Sequence, residues 1–335
     1  MKKSFVWIMS LIMLMTAVFV GCGGTETPQT NESNESATLK FGMGVYSSTP
    51  AVTDATLDKE GTGKLDVTVA AVTVDKDGKI VACALDTASN TVQFTAEGKA
   101  VANTEFKTKY EAGKDYNMVA YGNATKEWFE QADAFEAFVA GKNLTEVKAL
   151  VAEGNKGNTD VINAGCTIMI HEFVGAIEKA YNNATESKAT AEDSLKVAIA
   201  TEQTCTDATE DKDGSNKIAS TVFAAVVDKD GKIVVASSDC VELSFTFDAT
   251  GVSTLDTTKA VVSKKEAGAN YGMVAYGNAK KEWFEQAAAF DAVCVGKTAT
   301  EIATLMSEDG KGNADVQAAG CTIYVSGFVK AASKI

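Results

Sequence analysis

The sequence predicts an α+β fold built twice in tandem, each unit an antiparallel sheet with helices packed on it. Three observations carry this reading. The segment Tyr121-Gly-Asn-Ala-Thr-Lys-Glu-Trp-Phe-Glu-Gln-Ala132 returns as Tyr276-Gly-Asn-Ala-Lys-Lys-Glu-Trp-Phe-Glu-Gln-Ala287, differing at one position. Val74-Asp-Lys-Asp-Gly-Lys-Ile-Val81 returns at Val227–Val234, and Ala164-Gly-Cys-Thr-Ile168 at Ala319–Ile323. Within each unit a run of strand-like segments precedes a run of helix-like ones, the order expected of α+β architecture. A repeat of about 140 residues has the size of an ordinary domain rather than of a solenoid unit. The expected divisions are 37–181 and 194–335, joined by a polar linker at 182–193, each with its own core.

Each unit opens with a short strand, Leu39 to Val45 or Leu195 to Ala200. A hairpin follows, Lys64 to Val74 and Lys79 to Leu85, repeated as Lys217 to Val227 and Lys232 to Ser237. β-Branched residues around an Asp-Gly turn are a strong short-range hairpin signal. Asp75, Asp77, Asp228 and Asp230 read as turn residues, because the later ligands of a calcium loop are missing. A further strand is expected at Thr91 to Thr95 and at Glu242 to Phe247. Asn123 and Asn278 then read as caps of a helix whose apolar stripe includes Trp128, Ala132 and Phe135. Gly141 and Gly296 end it, and Asn143-Leu-Thr-Glu146 and Thr298-Ala-Thr-Glu301 have the pattern of capping boxes. A Gly/Asn loop, the Ala-Gly-Cys-Thr-Ile segment and a closing helix (His171 to Tyr181; Gly327 to Ser333) complete each unit.

The first 22 residues form a separate signal. Lys2 and Lys3 precede an apolar stretch from Phe5 to Val20, which ends in Phe19-Val-Gly-Cys22. This resembles the bacterial lipoprotein signal, which implies that Cys22 is lipidated by palmitate-type acyl chains and becomes the mature N-terminus. Residues 23–36 are polar and read as a flexible tether. The expected location is therefore the extracytoplasmic face of the cell membrane, held by a lipid anchor. A net charge of −14 and the lack of any arginine argue against nucleic acid as a partner.

Candidate chemistry is sparse. His171 is the one histidine, and its counterpart is Ser326, so no site common to both units can depend on it. Neither a nucleophilic triad nor a zinc or iron–sulfur spacing recurs, and no metal site is expected. Only Cys166 and Cys321 are equivalent cysteines, so no shared disulfide framework is implied, while a Cys205–Cys240 bridge stays open. Glu127, Glu130, Glu282 and Glu285 read as a solvated helix face. Trp128 and Trp283 read first as core anchors and second as an aromatic platform, with Tyr121 and Tyr276, for a planar ligand.

The loop and the Ala-Gly-Cys-Thr-Ile segment remain. Glycines and backbone N–H groups near a helix start can cradle phosphate, with Lys156 or Lys311 as a point charge. Asp160-Val-Ile-Asn-Ala-Gly-Cys-Thr167 and Asp315-Val-Gln-Ala-Ala-Gly-Cys-Thr322 resemble the Asp-x-x-Ser-Gly-Ala-Thr segment of extracytoplasmic FMN-binding domains. Cysteine stands for the motif's alanine, alanine for its serine, and the aspartate lies one residue further upstream. That resemblance implies FMN joined to Thr167 and Thr322 by a flavin transferase, with Gly165, Gly320, Lys156 and Lys311 around it. The whole chain also resembles duplicated surface lipoproteins of low-GC Gram-positive bacteria. The leading expectation is a non-catalytic binding or structural surface protein whose partner is a small planar ligand or another surface protein. An FMN-carrying electron-transfer lipoprotein is the alternative.

Overall fold

The computed structural model describes residues 37–335. The signal segment, Cys22 and the tether lie outside the described residues. In the first copy, β1 (Lys40–Ser48), β2 (Val52–Thr53), β3 (Gly61–Val74), β4 (Ile80–Phe94) and β5 (Ala100–Val101) precede the helices. These are α1 (Lys109–Ala112), α2 (Trp128–Val139), α3 (Leu144–Lys148), α4 (Thr159–Ala164) and α5 (His171–Asn182). After β6 (Thr185–Glu186), the second copy runs β7 (Ser194–Thr206), β8 (Gly214–Val227) and β9 (Ile233–Phe247). It closes with α6 (Lys264–Ala267), α7 (Trp283–Cys294), α8 (Ala299–Ile302), α9 (Ala314–Ala319) and α10 (Ser326–Ala332). All pairing between these strands is antiparallel, with orders β5-β4-β3-β1-β6 and β7-β8-β9. The fold is thus α+β.

Alternation along the central strands explains the layering. On β3, Leu65, Val67, Val69 and Ala71 join one core, while Ala70, Val72 and Val74 join another. Successive strand residues point to opposite faces, so a strand apolar at every position must be covered on both. The outer face of β3 meets Phe135, Val161 and Ile177 from the helices of its own copy. Its inner face meets Ile218, Val222 and Val226 of β8. On β8, Phe223 and Ala225 turn outward to Phe290 and Phe328. The result is four layers, helices–sheet–sheet–helices.

The expectation of two independent cores is corrected here. Each copy has a helix–sheet core, but the largest buried cluster lies between the sheets and draws on both. The described residues, 37–335, belong to one compact unit. The contacts across it are reciprocal. Ala208 N–H donates to Gly98 O at 2.7 Å, and Ala55 N–H donates to Gly251 O at 2.8 Å. Lys334 pairs with Glu111, and Lys179 with Glu266, both at 2.7 Å. Phe94 stacks on its own counterpart, Phe247, with centroids 4.7 Å apart. Contacts in which residue i meets j while j's counterpart meets i's are the signature of an isologous, two-fold interface.

Three smaller expectations also change. Each predicted separate strand continues the preceding one, so the hairpins have arms of 14 and 15 residues. The linker at 182–193 is tied in: Thr185 and Glu186 pair with β1, and Ala189 is buried between the sheets. Cys205 and Cys240 are free thiols, placed opposite Asn216 and Thr221 on distant parts of β8. The turn reading holds: Asp75 Oδ1 accepts the N–H groups of Asp77 and Lys79 at 2.9 and 2.8 Å. Both expected capping boxes, at Asn143–Glu146 and Thr298–Glu301, are formed. Among the described residues, no helix is long and apolar enough to cross a membrane.

Candidate functional site

The Gly-Cys-Thr segments are helix ends. Gly165 leaves α4 at φ +106°, and Gly320 leaves α9 at φ +103°, in the left-handed region where glycine is favoured. Gly165 N–H returns to Ile162 O and Cys166 N–H to Val161 O, satisfying carbonyls that the helix end would strand. The next residue, Thr167, donates both its N–H (2.8 Å) and its hydroxyl (2.9 Å) to Gln131 Oε1. Gln131 is buried and gives its own Nε2–H to Lys126 O at 3.1 Å. Thr322, Gln286 and Lys281 repeat the arrangement at 2.9, 2.9 and 3.1 Å.

The threonine side chains are exposed, while Cys166 and Cys321 are sealed beneath them with burial pushing both thiols up to about 11. A Cβ added at Gly165 would lie 2.4 Å from Lys126 Nζ, so the cation beside this turn is Lys126, or Lys281 in the second copy. Lys156 is exposed, with its backbone bridged to Met169; Lys311 is bridged to Tyr324 and lies 5.9 Å from that ring. Gln131 escaped sequence reasoning, although its place in the longest repeated block was the available signal.

That block is otherwise given to the fold. The helix begins at Trp128 rather than at Asn123, which instead adopts φ +52° in the loop. The cap is Glu127, and the solvated-face reading fails for it and for Glu282. Both are buried. Glu127 accepts Met118 N–H at 2.9 Å and Val119 N–H at 3.4 Å, and Glu130 accepts Glu127 N–H at 2.8 Å. The pair therefore pins the preceding loop onto the helix start, and Glu282–Glu285 does the same. Trp128 is buried edge-on to Tyr110 and Phe173, and Trp283 is buried against Phe328. Tyr121 and Tyr276 are exposed and belong to no such cluster.

Several cavities have the size of small-molecule sites. One of about 730 Å³ lies between the segment before α1 and the helix α10, and a corresponding pair along the seam between the copies has about 590 and 330 Å³. The smaller holds Glu136, whose carboxyl is pushed up to about 8 by burial, the N–H of Leu85 pulling the other way. Burial likewise raises Asp86 to about 6. The larger is lined by Lys265, which stands where Tyr110 stands and lies 3.4 Å from Asp291, the counterpart of Glu136. Burial still raises Asp291, against the opposing pull of Lys265 and Ser238.

A fourth cavity, about 380 Å³, is lined by the second copy alone and lies beside Trp283 and the start of α10. Glu242 accepts from Lys217 at 2.9 Å and Lys264 at 2.8 Å. Burial pushes this carboxyl up, but the two lysines outweigh it and hold it below the ordinary value. Lys264 in turn lies over the rings of Tyr271 and Trp283, at 4.9 and 5.3 Å. No group of three or more His, Cys, Asp or Glu side chains placed for a metal occurs among the described residues. No family model matches the chain, and comparison with curated proteins and with solved structures finds no match.

Proposed function

We propose that this chain is a duplicated, lipid-anchored lipoprotein of the extracytoplasmic membrane face, acting as a non-catalytic binding protein on a rigid scaffold. One observation carries the binding half. Residues kept identical in both copies, from Glu127 and Gln131 to Thr167, are engaged in hydrogen bonds of the fold, whereas the cavity beside Trp283 is bordered by Glu242, Tyr324, Ser326 and Gly327, where the first copy has Ser89, Met169, His171 and Glu172. The anchor half rests on the basic, apolar and small-residue order that ends at Cys22. The tandem repeat is read as two homologous domains fused through a two-fold interface. The membrane is its partner through the lipid; a small ligand or a surface protein is its partner through the cavities.

A second reading keeps FMN. Thr167 and Thr322 are exposed residues beside glycine turns and lysine ammonium groups, within reach of a transferase. Against it, each hydroxyl donates to a buried glutamine. The test of both is intact mass and fractionation of the protein from its native host. The binding reading expects an acylated Cys22, membrane release on Cys22→Ala, and unmodified threonines. A flavin phosphoryl adduct lost in Thr167→Ala and Thr322→Ala would establish the second reading. A chain retaining Met1 and soluble in the cytoplasm would overturn both.

A further inference from the structure

The cavity beside Trp283 has a counterpart that the first copy keeps filled. There, Tyr46 packs edge-on against His171 with centroids 6.0 Å apart, and Glu172 accepts from Thr68 at 3.3 Å. The corresponding residues of the second copy are Ala200, Ser326 and Gly327. All three are smaller, and Ser326 and Gly327 line the cavity. A core that loses side-chain volume is destabilised unless the space is refilled, so the losses at Ser326 and Gly327 beside one cavity need a compensating use. Two changes in the same place add groups instead. Met169 of the first copy corresponds to Tyr324, a ring 69% exposed on the rim, and Ser89 corresponds to Glu242 on the wall.

We propose that this second-copy cavity is a binding site for a neutral sugar ring. The proposal rests on the binding reading above and gives it a ligand class. The volume lies within the usual range for small-molecule sites, roughly 300–1,000 Å³. Two lysines (Lys217, Lys264) and two glutamates (Glu202, Glu242) line it, and each glutamate is already paired, Glu242 to both lysines and Glu202 to Lys330. A ligand carrying net charge would have to break those pairs, whereas hydroxyl groups can donate to the carboxylates and accept from the ammonium groups as they stand. The Thr221 and Ser326 hydroxyls add donors and acceptors on one side. Tyr324 supplies an exposed face for the apolar side of a pyranose, with Trp283 at the back. A rim aromatic with internally neutralised charges suits a polyol better than a phosphate or a cation.

The test uses mature protein labelled at its tryptophan indole nitrogens, so that Trp128 acts as an internal control for Trp283. Glucose, mannose and N-acetylglucosamine are titrated, with glucuronate, glucosamine and adenosine as contrasting probes. The Trp283 resonance should move saturably with at least one neutral sugar while Trp128 stays fixed. Tyr324→Ala, an exposed change that leaves the fold intact, should weaken binding about threefold to tenfold. Restoring the first-copy side chain on the cavity wall with Ser326→His should abolish it. A response to adenosine or to the charged sugars alone would overturn the ligand class while sparing the binding reading. No shift of Trp283 with any probe, or equal shifts of both tryptophans, would overturn the site itself.

Discussion

The two copies place the same backbone around the same positions and fill them differently, most plainly at the seam. Glu136 and Asp291 are counterparts; Glu136 faces the other copy's first strand, and Asp291 lies behind Lys265, which does the same. In the second copy, Lys265 stands 3.4 Å from Asp291 and Ser238 Oγ donates to it at 2.6 Å. In the first, the lysine's place is taken by Tyr110, whose hydroxyl donates to Asp133, and Glu136 keeps one backbone donor, Leu85 N–H at 2.6 Å. A buried carboxylate with a nearby ammonium stays compensated; one among other acids rises until it holds a proton. Each repeat thus settles a charge, or a cavity, in its own way, while the layer between the sheets is shared.

The largest expected effect breaks that shared layer. Phe94→Ala removes one half of the stack on Phe247 at the approximate two-fold axis, and should cost roughly 3–5 kcal/mol. Amide exchange should quicken in both sheets, since the cluster is common property of the two copies. Quickening confined to β3 and β4 would mean that the copies are held independently.

Next come the seam carboxyls, where the two copies should respond with opposite sign. Glu136 has a folded pKa of about 8 against an ordinary value of 4.5, so the native state binds the extra proton between those limits. Its contribution is therefore full below about pH 4.5 and is lost as pH rises through about 8. Glu136→Gln keeps an acceptor for Leu85 N–H and removes this loss, raising stability at pH 9 by up to about 4 kcal/mol. Lys265→Met leaves Asp291 buried without its cation, and should lower stability at pH 7 by roughly 3 kcal/mol, with recovery in acid. Denaturant midpoints across pH 4 to 9 for both variants check the pair; a common sign at alkaline pH would contradict the contrast.

The smallest effect tests where the copies agree. Gln131→Ala and Gln286→Ala each strand a threonine N–H and hydroxyl at a helix end. Each should cost about 1–3 kcal/mol, equal within the error of chemical denaturation. Unequal losses would show that one of the two turns has a further duty.

Much of the architecture was legible from local signals. The Asp-Gly turns, the capping boxes at Asn143 and Thr298 and the closing helices follow from residues a few positions apart, and they stand where the pattern put them. The merging of the third and fourth predicted strands was less visible, because Asp86 and Asn90 interrupt the apolar run. Both face seam or inter-sheet partners: Asn90 Nδ2 donates to Ser220 at 3.1 Å across the copies. Docking of one copy on the other was also hidden, although β3 and β8 carry its trace in apolar residues at consecutive positions, a pattern that demands two covers. At the site, Thr167 stood out in the sequence only as a hydroxyl beside a glycine turn. Its partner Gln131 lies 36 positions away, and no spacing rule reaches that far. The second-copy cavity was illegible in either copy alone; it emerges when Tyr46, His171 and Glu172 are set against Ala200, Ser326 and Gly327.

Differential scanning calorimetry of the folded part, residues 37–335, tests the central claim most directly, that two copies make one folding unit. A common core between the sheets predicts a single transition with equal calorimetric and van't Hoff enthalpies, shifted as a whole by Phe94→Ala. Two resolved transitions, with only one moved by that substitution, would contradict it and restore two independent domains.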